Sequence, residues 1–204
     1  MIPTYPRLDG LVACVNWPDS FPDRPEVHFS LENRGDRLLL AWQVSEPRSI
    51  ARVTQDNGTV WKDSCVEFFI RFEGEEKYYN LEASCNGHIL LAWRQDRKHF
   101  EHAPQEVLDR IIRRPSLGMG ITFEECELPS RPAEGIPSWS LELEIPASAF
   151  WHSGLKDFSD LHASGNFYKT GDALSRPHYL SWAPIQTENP DFHRPEFFRE
   201  LLFR

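Results

Sequence analysis

Residues 57–72 read NGTVWKDSCVEFFIRF, which is a turn, a tryptophan and then a segment with the alternation of a β-strand. Strand side chains point to opposite faces in turn. One face of this segment is wholly apolar: Val66, Phe68, Ile70 and Phe72. The other face combines a carboxylate and a guanidinium with a thiol and an aromatic ring: Cys65, Glu67, Phe69 and Arg71. The apolar face indicates burial in a core, whereas the mixed face fits either ion pairs with neighbouring strands or contacts with a ligand.

Several other segments show the patterns of short strands separated by turns: residues 26–31, 37–45, 78–85, 88–94, 138–145, 179–182 and 197–203. Asn86-Gly87 favours a type I′ hairpin between two of them, because both residues tolerate positive φ angles. Residues 104–113 predict one short helix, which Pro115 would end. We therefore predict an all-β protein, a single-domain antiparallel β-sandwich over residues 1–204 with at most one or two short helices.

The charge and hydrophobicity of the chain exclude some classes of partner. Its formal net charge is −9, with 31 acidic and 22 basic residues and no long basic run, which argues against nucleic acid and anionic membranes. No segment approaches the roughly 18 apolar residues that a membrane span requires. The first residues do not resemble a signal peptide, so we expect a cytoplasmic protein, or a secreted one if a leader has been removed.

The four cysteines are widely spaced and form no Cys-x-x-Cys pair, which argues against a zinc site. Free buried thiols are the favoured interpretation, and a disulfide remains an alternative. The residues in question are Cys14, Cys65, Cys85 and Cys126.

An enzyme is the alternative class of function. Glu67 and Glu82 could face each other on neighbouring strands and serve as the acid and the nucleophile or base of a glycoside-active enzyme. A random pair of glutamates on a sheet face is far commoner than a catalytic pair. The sequence also contains no nucleophile elbow, zinc-protease helix or phosphate loop. We therefore favour a protein that is not an enzyme.

Two motifs occur together in this chain. The first is Trp-x-Asp-x-x-x-Glu at residues 61–67, and the second is Ser181-Trp182 followed by PDFHRPEF at residues 190–197. Together they resemble the carbohydrate-binding module family 9-like proteins, over nearly the whole chain from about Arg37 onward. The resemblance implies a β-sandwich that binds an oligo- or polysaccharide without catalysis and holds a sugar residue between two aromatic side chains.

The resemblance also implies which residues bind the sugar. It assigns Trp61 and Trp182 as the aromatic walls, and Glu67, Asn80 and Arg94 as the contacts to the hydroxyls. Phe192 is the alternative for the second wall. A pyranose ring has C–H groups on its faces and hydroxyls around its rim, and aromatic rings and planar polar groups complement these two surfaces respectively.

Structural calcium is a further implication of the resemblance. Asp56, Asn57 and Asp63 offer the hard oxygen ligands that calcium prefers. Asn57-Gly58 is more economically explained as a turn. We assign no metal ligand and expect no other cofactor.

Overall fold

A computed structural model describes residues 7–203, apart from the side chain of Leu202. Within this range the only α-helix, α1, spans Gln105–Leu108 and has four residues, and every other helical segment is a three-residue 3-10 turn. The strands, β1 to β15 in chain order, are Arg7–Leu11, Cys14–Val15, Glu26–Asn33, Arg37–Ser45, Ser49–Ala51, Cys65–Phe72, Tyr78–Ser84, Ile89–Arg94, Phe100–His102, Ile112–Pro115, Phe123–Cys126, Trp139–Pro146, Leu161–Thr170, Tyr179–Ser181 and Arg199–Phe203. The prediction of an all-β protein is confirmed.

The strands form two main antiparallel sheets. The first has five strands in the order β1-β3-β4-β12-β10. The second has eight strands in the order β2-β14-β13-β6-β7-β8-β9, with β15 paired to one end of β13. β5 and β11 form a separate two-stranded pair. The two large sheets share one hydrophobic core, which makes the fold a β-sandwich.

The core lies between the apolar faces of β4 in the first sheet and β6 in the second. The predicted apolar face of β6 is at most 3% exposed: Val66, Phe68, Ile70 and Phe72. The corresponding side chains of β4 are fully buried: Leu38, Leu40, Trp42 and Val44. Full burial of one such side chain stabilises the fold by about 1.5–3 kcal/mol. The opposite face of β6, which carries Glu67, therefore lies on the outer side of the sandwich.

The hairpin of β7 and β8 is confirmed, but its turn is not type I′. Gly87 has a φ of +88°, whereas Asn86 is not among the residues with positive φ. Ser84 N donates to His88 O and Gly87 N donates to Ser84 O, as in a three-residue loop with a type I turn and a left-handed glycine. Asn86 is fully buried, and its Nδ2 donates to Val53 O, so this side chain ties the turn to a neighbouring segment.

The predicted helix over residues 104–113 is too long. The chain leaves the helix after Leu108 because Ile112 to Pro115 pair with β12 as β10. No helix in the described range is long and apolar enough to cross a membrane. The four cysteines are free thiols, as the sequence favoured, but only Cys65 and Cys85 are buried, whereas Cys14 and Cys126 are partly exposed.

Candidate functional site

The outer face of the eight-stranded sheet, opposite the core, holds a cavity of about 260 Å³. Side chains of β6, β7, β8 and β13 form its floor. Its walls come from the 3-10 turn Val60–Lys62 before β6 and from the loop after β14, which carries Asp191, Phe192 and His193. The cavity is thus built on the face of β6 that the sequence marks as polar and aromatic.

Strand register brings the floor residues together. Glu67 on β6 lies directly opposite Glu82 on β7. Arg94 on β8 pairs with Tyr78, which lies four residues before Glu82 and therefore on the same face of β7, so Arg94 shares that face. Thr170 on β13 extends the same face on the other side of β6. Because residues in register point to the same side of a sheet, all four floor side chains reach the cavity.

Trp61 stands at the edge of this cavity. It is half-buried and packs one side against a small apolar cluster that includes Val60, Leu90 and Ala92. The remainder of the ring lines the same cavity as Glu67. Trp61 is therefore held in place by the protein and still presents an aromatic surface to solvent.

Trp182 does not line this cavity, so its choice as the second wall needs correction. It has the same parity as Leu180 in β14 and therefore packs toward the core, with ring centroids 5.8 Å from Phe29 and 5.6 Å from Phe167. Tyr179, on the opposite face of β14, lines the cavity instead.

The aromatic side chains around the cavity other than Trp61 come from three separate segments. The alternative second wall, Phe192, is 7% exposed and stacks on Tyr168 at a centroid distance of 4.2 Å. Tyr179 is half-buried, and Phe100 on β9 is 46% exposed. The guanidinium of Arg94 lies over the Phe100 ring, 4.1 Å from its centroid. The cavity therefore combines apolar ring surfaces with a charged floor.

Hydrogen bonds orient the polar floor. Thr170 Oγ1 donates to Glu67 Oε1 over 3.1 Å, and Asn80 Nδ2 donates to Glu82 Oε1 over 2.7 Å. Arg94 Nε donates to Asn80 Oδ1. Asn80 is fully buried and is absent from the cavity lining. Asn80 orients Glu82 and Arg94 through hydrogen bonds and does not itself reach the cavity. This role differs from the direct contact with a sugar hydroxyl that the resemblance implies.

The two floor carboxyl groups are held as weak acids. Burial, followed by the nearby charge of Glu82, raises the pKa of Glu67 well above its usual range. Burial raises the pKa of Glu82 to about 7 in spite of the opposing effects of Arg94 and Asn80. Within residues 7–203, Glu82 Oε2 is buried and has no hydrogen-bond partner. Glu82 Oε2 is therefore available to form a hydrogen bond with a ligand in the cavity.

His193 closes one side of the cavity as a neutral ring. Burial, assisted by the charges of Arg94 and Arg97, lowers its pKa to about 3. Its Nδ1 lies 3.0 Å from the hydroxyl of Tyr78, and its backbone N donates to Asp191 Oδ1. These contacts fix the loop that carries Phe192.

The family model of carbohydrate-binding family 9 matches residues 9–203. The chain belongs to carbohydrate-binding family 9. A solved structure of a candidate carbohydrate-binding protein from Bacteroides uniformis ATCC 8492 is 40% identical, with a TM-score of 0.87 and alignment over 97% of this chain and 86% of that one. A family 9 module from Caldicellulosiruptor kristjanssonii, solved in complex with glucose, is 12% identical, with a TM-score of 0.52 over 89% and 78% of the two chains. That second likeness concerns the fold alone. No curated protein sequence matches significantly.

The three calcium candidates of this family 9 protein use their side-chain oxygens within the fold. Asp63 accepts from Arg52 N and Val53 N, and Asp56 accepts from Arg113 Nη1 over 2.7 Å. Asn57 Oδ1 accepts from the backbone of β8. Among the residues that the structure describes, no three His, Cys, Asp or Glu side chains are grouped to hold a metal ion. The candidate residues therefore have structural roles within the fold, and calcium binding by them stays a prediction.

Several side chains that line the cavity of this family 9 protein escaped the sequence analysis. Tyr179 was detectable, because its parity in β14 is opposite to that of Leu180. The sequence predicts Glu82 only as the catalytic partner of Glu67, although its alternation in β7 also makes it part of a binding floor. Phe100 and Asp191 carry no such signal, since the first lies in a three-residue strand and the second in a loop.

Proposed function

We propose that the cavity beside Trp61 binds a sugar unit of an oligo- or polysaccharide and leaves it intact. The observation that carries the proposal is one cavity in which a half-exposed Trp61 ring faces a buried floor of Glu67, Glu82 and Arg94. An aromatic ring beside convergent carboxylate and guanidinium groups matches the apolar faces and hydroxyl rim of a pyranose. Membership of a carbohydrate-binding family supports the same function.

The size of the cavity suggests how much of the ligand it takes. Its volume of about 260 Å³ lies just below the range of about 300–1,000 Å³ that is usual for ligand pockets. We propose that it holds one or two sugar units and leaves the rest of a longer chain in solvent. Glucose is the first ligand to test, because the family 9 module from Caldicellulosiruptor kristjanssonii is described in complex with it.

Catalysis by Glu67 and Glu82 is the alternative. Glycoside-active enzymes place their two carboxyl groups on either side of the bond that breaks. Glu67 and Glu82 lie directly opposite each other on adjacent strands and therefore approach a ligand from the same side. This arrangement supports hydrogen bonding to hydroxyls more than it supports displacement at a glycosidic carbon.

A glycan array followed by two assays tests the proposal. The best ligand is titrated by calorimetry while the release of reducing sugar is followed over the same period. We expect saturable binding with no product from the wild type or from Glu142→Gln, a control variant with an exposed carboxylate on the other sheet. Steady product formation that Glu82→Gln abolishes would establish the enzyme instead. Failure to bind any glycan would overturn the sugar ligand.

A further inference from the structure

Glu67 and Glu82 form a buried pair of acids at the base of the cavity. They lie in register on β6 and β7 and are 3% and 4% exposed. Side chains directly opposite each other on neighbouring strands have Cβ atoms about 4.5–5.5 Å apart. Among the ion pairs of residues 7–203, none includes either glutamate. The guanidinium nearest to them, Arg94, donates to Asn80 and to Arg97 O.

Two negative charges at this separation in a buried site are mutually unfavourable. Within residues 7–203, each glutamate accepts a hydrogen bond on only one of its oxygens, from Thr170 and Asn80 respectively. The second oxygen of Glu82 is buried, lacks a partner in the described chain and belongs to a residue that lines the cavity. Retention of one proton by the pair relieves the repulsion and leaves one acidic donor and one charged acceptor.

We propose that Glu82 binds the ligand together with Glu67, through one proton that the two carboxyl groups share and that lets them donate to and accept from a single sugar hydroxyl. This inference rests on the proposed sugar-binding function of the cavity. The O–H of the protonated carboxyl donates to the hydroxyl oxygen, and the hydroxyl hydrogen is donated to the ionised carboxylate. A neutral hydroxyl can satisfy both groups at once.

The neighbours of each carboxyl group indicate which one holds the proton. Glu82 accepts from the Asn80 amide and lies near the positive Arg94, and both contacts favour its ionised form. Thr170 donates to Glu67 and also favours the ionised form, but its hydroxyl is neutral, whereas the strongest such effect on Glu82 comes from the charged Arg94. The pKa of Glu67 is also raised well above the ordinary value by burial and by Glu82. We therefore assign the shared proton to Glu67.

Other titratable or charged groups surround the pair, from β6, β7, β8, β13, β14 and three loops: Cys65, Tyr78, Arg94, Arg97, Tyr168, Asp172, Tyr179, Asp191 and His193. Burial raises the pKa of the thiol and the three tyrosines, so these groups stay neutral at neutral pH. The pKa of His193 is lowered to about 3, so this ring also stays neutral. Asp172 at the rim has a raised pKa, and its contribution is tested by a variant.

The test is the pH dependence of affinity. The probe is glucose, or the neutral glycan that binds most tightly on the array if glucose is not bound. Wild-type affinity should show a maximum. It should decrease below about pH 7 as Glu82 takes up a second proton, and decrease at alkaline pH as Glu67 loses the shared one. Each limb should approach a tenfold change per pH unit, because one proton is exchanged.

Glutamine variants distinguish the two members of the pair. Glu67→Gln keeps a neutral donor, so it should bind within about threefold of the wild-type maximum, retain the acid limb and lose the alkaline limb. Glu82→Gln should lose the acid limb, and the double variant should show no dependence on pH. Asp172→Asn and Glu142→Gln should both keep a maximum. Circular dichroism at each pH verifies that every variant is folded.

Two results would overturn the inference while leaving sugar binding intact. The first is wild-type affinity that is constant across the range. The second is a folded Glu67→Gln that binds nothing at any pH, which would make Glu67 an ionised acceptor. Absence of binding to glucose and to every array glycan would instead contradict the proposed function on which this inference rests.

Discussion

Lys169 Nζ lies 2.8 Å from Glu46 Oε2, and neither side chain has any exposed surface. Glu46 Oε1 also accepts from Trp139 Nε1 and from Ser49 Oγ. Lys169 Nζ lies 2.8 Å from His178 Nε2. This buried ion pair joins β13 of the large sheet to the end of β4 in the other sheet, on the strand that ends at the cavity residue Thr170.

We expect Lys169→Met to destabilise the protein by about 3–5 kcal/mol, because it leaves the buried carboxylate of Glu46 without its counter-charge. Urea denaturation at pH 7 measures the effect. Lys62→Met, at an exposed lysine, is the matched control and should change stability by less than about 0.5 kcal/mol. A loss under 1 kcal/mol for Lys169→Met would show that Glu46 is neutral in the folded state.

We expect stability to depend on two buried histidines at acid pH. Burial lowers the pKa of both His178 and His193 from 6.5 to about 3 in the folded state. The unfolded chain therefore binds more protons between about pH 6.5 and pH 3, and the contribution of these residues to stability is lost as the pH falls through that range. His193→Gln should reduce the slope of unfolding free energy against pH by up to about 1.4 kcal/mol per pH unit. Urea melts at half-unit intervals measure it, and His162→Gln, at an exposed histidine, is the matched control.

The outcome for β6 shows how much of this fold can be predicted from sequence. Its alternation correctly separates the core face from the site face, because parity is a local property of a strand. Trp182 does not occupy the position that the motif implies, because it has the same parity as Leu180 and packs toward the core. The turn at Asn86 differs because a buried side chain, which bonds to a distant segment, decides its conformation. Phe192 is the alternative wall that the motif at residues 190–197 implies, but the docking of its loop against the sheet is a tertiary contact that no local pattern specifies.

We expect the ionised Glu82 to lower the free energy of unfolding at the same pH at which it accepts a hydrogen bond from the ligand. The folded-state pKa of Glu82 is raised from 4.5 to about 7, so the folded protein holds more protons than the unfolded chain between those values. Stability is therefore lost as the pH rises through that range. We expect Glu82→Gln to stabilise the protein at pH 8 by about 1–3 kcal/mol and to have little effect at pH 4. Equal effects at both pH values would contradict the assignment.

The central claim is that a sugar binds beside Trp61. Calorimetric titration of wild type, Trp61→Ala and Trp182→Ala with the best array ligand tests it most directly, since both tryptophans are half-buried and only Trp61 lines the cavity. Loss of a stacked aromatic costs about 2–4 kcal/mol, so Trp61→Ala should bind at least thirtyfold more weakly with an unchanged circular dichroism spectrum. Folded Trp182→Ala should bind like the wild type. Unchanged affinity in Trp61→Ala, or loss of binding in folded Trp182→Ala alone, would contradict the account.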